Sequence, residues 1–164
     1  LDCLADIATS LRSPVKRNPY RQDVIEYVPL KEGPARMAKA IKLLVKSLAA
    51  VRGRNVVNIE DYRIAAKTCI DSVQSIRRTV LKCLVGNYKN HSWVKAKNVS
   101  DLFGYLSTST AVYKLEDLAS LDLCESKFEN QNSMIPLAFN SSKIFLLKKE
   151  VYDMIAKTGI EVYL

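Results

Sequence analysis

Few residues in this chain have the types and spacing that covalent or metal chemistry needs. His91 is the only histidine and stands in a polar stretch, which argues against a His-based triad and against His-rich metal sites. Cys3, Cys69, Cys83 and Cys124 never form a C-x-x-C pair, and each lies among apolar neighbours. They read as reduced, buried thiols, with zinc or disulfide chemistry as the alternative. The adjacent acids Glu60-Asp61 and Glu116-Asp117 resemble catalytic carboxylate pairs, but helix capping and surface roles account for both. No G-x-x-x-x-G-K-S/T phosphate loop occurs, and the whole chain has five glycines. No apolar strand ends in paired acids that would hold magnesium. The chain by itself is therefore expected not to be an enzyme and to carry no cofactor.

The chemistry that remains is electrostatic. The formal net charge is +8, and it is unevenly placed: residues 1–90 carry 17 Lys/Arg against 8 Asp/Glu, residues 91–164 carry 8 Lys against 9. Such a basic half attracts a polyanion, nucleic acid first among them, the alternative being an ordinary basic protein. Cations cluster as Arg12, Lys16, Arg17 and Arg21 in one connector, as Lys39, Lys42 and Lys46 on one helix, and as Arg77-Arg78. The lysine stripe reads first as a solvated face, with phosphate tracking as the alternative. Hydrophobic residues make up 48%, enough for a packed core. No apolar run approaches the roughly 18 residues of a membrane span, so no membrane partner and a cytoplasmic location are expected. The start, Leu1-Asp2-Cys3-Leu4, lacks an initiator Met and the features of a signal peptide, so a fragment or a processed chain is expected.

The elements that must position these charges are mainly helical. Leu4, Ile7, Ala8 and Leu11 predict a short helix over 1–11, followed by an extended basic connector over 12–21 with two prolines. A short strand is expected within 23–30. Gly33-Pro34 opens a long helix whose inward face is Met37, Ile41, Leu44, Leu48 and Val51, and Arg52-Gly53-Arg54 ends it. Asn58 caps the next helix, with Tyr62, Ala65, Ala66, Cys69 and Val73 inward. A third helix is predicted over 75–85, stopped by Gly86-Asn87. After a polar stretch come a helix over 99–106, a break at Ser107-Thr108, and a helix to about 121 capped by Thr108 or Ser109. In that last helix Val112, Leu115, Leu118 and Ala119 share one side, and Thr110, Tyr113, Lys114 and Asp117 the other. Strands over 124–128 and 143–147 flank an Asn/Ser-rich loop, and a helix over 148–157 closes the chain.

Val99-Ser100-Asp101-Leu102-Phe103-Gly104-Tyr105-Leu106, then Ser107-Thr108-Ser109-Thr110-Ala111-Val112-Tyr113-Lys114-Leu115-Glu116-Asp117-Leu118, then Leu121-Asp122-Leu123, resembles the winged helix-turn-helix family over about residues 75–150. That resemblance implies three helices plus a small β-hairpin wing, with Ser107, Thr108, Ser109, Thr110, Tyr113 and Lys114 facing DNA and Lys143 on the wing. Arg77, Arg78, Lys95 and Lys97 complete the expected DNA-binding set. Upstream, Gly33-Pro34-Ala35-Arg36-Met37-Ala38-Lys39-Ala40 and Arg54-Asn55-Val56-Val57-Asn58-Ile59-Glu60-Asp61 resemble the lid of AAA+ ATPases, minichromosome-maintenance helicases in particular. The resemblance gives Arg36 the place of a nucleotide sensor; the ATP and magnesium would belong to a longer parent protein.

The expected organisation is thus a lid-like helical segment, 1–74, followed by a winged helix-turn-helix, 75–164. The expected function is duplex DNA binding within an ATP-driven replication, recombination or mobile-element machine, with self-association or ATPase subunits as further partners. The alternatives are a stand-alone transcription regulator, a winged helix that docks a protein, and, for 36–72, a histone-like helical fold.

Overall fold

A computed structural model describes residues 1–28, 33–129 and 142–164. The architecture is mainly helical with a small antiparallel sheet. Helix α1 (Asp2–Arg12) is buried on most of its circumference, from Leu4 and Ala5 through Ile7 to Leu11, because it packs against α2 (Pro34–Val51), α3 (Ile59–Asp71) and α7 (Lys149–Thr158). Its buried hydroxyl at Thr9 donates to the Ala5 carbonyl at 2.8 Å, and Ser13 donates to the Thr9 carbonyl at 2.8 Å, so neither is left unpaired in the core.

Helix α2 opens with Pro34 in its first turn. Its contact face is Ile41, Val45 and Ala49, rotated from the expected one: Val51 is 87% exposed, while Met37, Leu44 and Leu48 lie at the margins. The rotation follows from packing two neighbours, α1 and α3, which centres the face between their contact lines. Gly53, at φ +69°, reverses the chain after α2, and the Arg54 amide closes back onto the Ala49 carbonyl at 2.9 Å.

Helix α3 begins in a complete capping box. The Asn58 side chain accepts from the Glu60 and Asp61 amides, and the Asp61 carboxylate accepts from the Asn58 amide at 3.0 Å. Asp61 also takes Arg52 at 2.6 Å and Arg54 at 2.8 Å, so the cations ending α2 are tied to the start of α3. Burial pushes the Asp61 pKa upward, but the Asn58 amide and the two guanidiniums outweigh it and hold the carboxyl below its ordinary 3.8. Because the folded pKa is depressed, its contribution is present above the ordinary value and is lost as the pH falls through the folded one. Asn58→Ala is expected to cost about 1 kcal/mol in urea unfolding. Asp61→Asn is expected to lower stability at neutral pH and to flatten the loss seen on acidification; an unchanged acid limb would contradict this role.

Helix α4 (Ser75–Tyr88) runs through Gly86-Asn87, which the sequence marked as a stop; Asn87 instead donates to the Cys83 carbonyl at 2.8 Å, and the chain turns at His91. Strand β3 (Val94–Lys95) follows, then α5 (Ala96–Phe103), which starts and ends three residues before the expected helix. The break after it is made by Gly104, at φ +60°, rather than by Ser107-Thr108. Ser107, not Thr108 or Ser109, caps α6 (Thr108–Ser120), accepting from the Thr110 amide at 3.2 Å.

Strands β4 (Cys124–Phe128) and β5 (Lys143–Leu147) pair in register, with Cys124 opposite Leu147 and Phe128 opposite Lys143. β3 joins the other edge of β5, with Val94 opposite Phe145. The order β3-β5-β4 makes the last strand the central one, and its Phe145 is fully buried. Most of the polar loop expected over 129–142 lies outside the described residues.

Residues 12–21, expected to be an extended arm, contribute instead to a small hairpin of β1 (Lys16–Arg17) and β2 (Ile25–Tyr27). The buried cluster runs unbroken from α1 through α4 and α6 to α7, across the 74/75 boundary. Tyr62 adds a polar link, its hydroxyl donating to the Thr158 carbonyl at 2.9 Å. Among the described residues, no helix is long and apolar enough to cross a membrane.

Candidate nucleic-acid interface

One groove gathers much of the expected charge. It has a volume of about 580 Å³ and three walls. Lys95, Ala96 and Lys97 come from the start of α5; Thr108, Val112 and Glu116, spaced i, i+4, i+8, come from one face of α6; Phe128, Ser142 and Lys143 come from the loop-side end of the β4–β5 pair. The start of α5 has no side-chain cap, and at α6 the Ser107 hydroxyl satisfies one amide of the first turn. Both helix starts thus present amide hydrogens and positive dipole ends.

Two of the three lysines are held by carboxylates. Lys143 sits 2.5 Å from Glu116 and Lys95 2.5 Å from Glu129; Lys97 is exposed, with no ion pair among the described residues. The Lys95 ammonium and then the Ser142 hydroxyl keep the Glu129 carboxyl below its ordinary pKa. Both lysines keep their side chains well exposed, where an ion pair is weak and another anion can compete.

Ser107, Thr108 and Ser109 are exposed at the head of α6; Ser107 Oγ lies 3.1 Å from Ser109 Oγ and 2.8 Å from Thr110 Oγ1. Tyr113 and Lys114, expected in the same face, are already engaged. Arg17 covers Tyr113 from the hairpin: its guanidinium carbon lies 4.9 Å from the centre of the Tyr113 ring, and Nη2 donates to the Tyr113 carbonyl at 2.6 Å. Lys114 reaches Asp117 at 3.3 Å.

Asp117 is the main correction. It is 2% exposed rather than displayed on a polar face, and Arg17 Nε donates to its Oδ1 at 2.8 Å. Arg77 approaches its Oδ2 at 3.9 Å. Arg17 is therefore a fixed structural cation and not part of a flexible arm. Arg77, expected to meet DNA, is 6% exposed, and Nη1 donates to the carbonyls of Leu11 at 2.8 Å and Ser13 at 2.6 Å. Burial pushes its pKa down and Asp117 pushes it back up. A guanidinium so enclosed is not presented to a phosphate. Arg78 is paired with Asp71 at 2.8 Å, and Arg36 lies exposed in the first turn of α2; neither lines the groove.

The sequence reading missed Phe128, Glu116 and Val112 as groove residues. Val112 packs against the margin of the core, as its side of α6 predicts, and also lines the groove, while the fully buried line along α6 is Ala111, Leu115 and Leu118. Phe128, 36% exposed at the end of a strand, carries a signal in its aromatic type alone. All four cysteines are free thiols; Cys69 and Cys83 are raised by burial, and Cys124, raised the same way to about 12, stays protonated at neutral pH. No protein-family model, no curated protein and no solved structure matches this chain.

Proposed function

We propose that the chain binds DNA through residues 75–164, used as a winged helix-turn-helix. The observation that carries this reading is the convergence of three lysines, Lys95, Lys97 and Lys143, and two helix starts on one groove. Amide hydrogens at a helix start and lysine ammoniums both favour phosphate oxygens. The order α4-β3-α5-α6-β4-β5, with β5 central, supports the winged plan, in which α6 is the recognition helix and the β4–β5 hairpin is the wing. In this reading the exposed head of α6, Ser107 to Ser109, approaches the duplex, while its second half is occupied by Arg17. The burial of Asp117 supports it further, since this acid is neutralised internally and does not repel phosphate from the recognition face.

The wider role, as part of an ATP-driven DNA machine, rests on the lid-like sequence of α2 and α3. Titrating isotope-labelled chain with a short random-sequence duplex is expected to shift amide resonances at residues 95–97, 107–109 and 142–143. Shifts confined to α2 and the β1–β2 hairpin would move the interface away from the groove.

A further inference from the structure

Phosphate binding does not explain the apolar part of the groove. Ala96, Val112 and Phe128 line it between the lysines, and Phe128 keeps 36% of its surface exposed. A flat aromatic ring beside cations is the arrangement that receives a nucleobase together with its phosphate. In an intact duplex the base faces are stacked inside and cannot reach such a wall. The groove volume of about 580 Å³ lies within the ~300–1,000 Å³ of pockets that enclose small organic groups. Lys143 Nζ lies over the Phe128 ring, 5.6 Å from its centre, so a base that takes its place on that face keeps its own phosphate within reach of the displaced ammonium. Glu116, the groove's acid, is already paired with Lys143 and Arg17.

Building on the DNA-binding reading, we infer that the groove seats an unpaired nucleotide, with its base against Phe128 and Val112 and its phosphate among Lys95, Lys97 and Lys143. The preferred ligand is then a duplex with a single-stranded overhang rather than a blunt one. Stacking of one base on an aromatic side chain corresponds to an advantage of roughly tenfold.

The test compares a blunt duplex with the same duplex carrying a short overhang that contains 2-aminopurine, both titrated into the whole chain. The expected result is roughly tenfold tighter binding of the overhang duplex, with quenching of 2-aminopurine as its ring stacks. Phe128→Ala is expected to abolish that advantage and the quenching, and Phe128→Tyr to keep both. Equal, salt-dependent affinity for the two duplexes would overturn this inference while leaving DNA binding in place. Absence of binding to either would overturn both.

Discussion

Replacing Asp117 by Ala is expected to destabilise the protein by about 3–5 kcal/mol, the cost of breaking a buried ion pair from one side. Asp117 is 2% exposed, and the cations facing it are nearly as enclosed, with side-chain exposures of 13% at Arg17 and 7% at Arg77. Removing the carboxylate leaves both guanidiniums without their shared counter-ion. Arg77 then retains only the Leu11 and Ser13 carbonyls, which do not neutralise its charge, while Arg17 keeps the Tyr113 and Gln22 carbonyls and a longer pairing with Glu116 at 3.4 Å. For a chain of this size the loss corresponds to a fall in Tm on the order of 10 °C. Asp117→Asn preserves the shape without the charge and should lose most of the same stability. Glu116→Ala is the control: Glu116 is itself more open at 15%, its Arg17 contact is long at 3.4 Å, Lys143 is 39% exposed, and Arg17 keeps Asp117, so a smaller loss of ~1 kcal/mol is expected. Urea unfolding of the three variants checks this. Equal small losses at 116 and 117 would show that the Asp117 pairings do not join the hairpin, α4 and α6.

Joint replacement of Lys95, Lys97 and Lys143 by Ala is expected to have the largest effect on function. Each phosphate contact contributes a slope of about −0.9 to the dependence of log affinity on log salt. Loss of three contacts at ~0.15 M salt therefore weakens binding roughly 100-fold. The stability effect should be small, because Lys95 and Lys143, paired with Glu129 and Glu116, are themselves 45% and 39% exposed. A variant that unfolds like the parent chain and binds DNA equally well would remove the groove from the interface.

The helices were legible where apolar residues recurred at helical spacing or a cap closed locally. Leu4, Ile7 and Leu11 marked α1, and Asn58 with Asp61 marked the start of α3 through local bonds that a sequence window contains. Boundaries failed where the deciding partner was distant. Gly86 looked like a stop, but Leu84 and Val85 are buried and the helix carries on to Tyr88. β3 is two residues long and has no periodicity of its own; it exists because β5 offers an edge. For the site, the lysines and the head of α6 could be read from residue type and helix order. The burial of Asp117 could not, since its partner Arg17 is 100 positions away. Arg77 misled for the same reason: an arginine near a helix start reads as exposed until α1 and its following turn close over it.

The most direct test of the central claim is fluorescence anisotropy of a labelled random-sequence duplex, titrated with the whole chain at several salt concentrations and repeated with the Lys95/Lys97/Lys143 variant. Log affinity should fall linearly with log salt, and the slope of the variant should be shallower by about 3. Absence of binding even at low salt, or an identical slope for the two proteins, would contradict DNA binding through this groove.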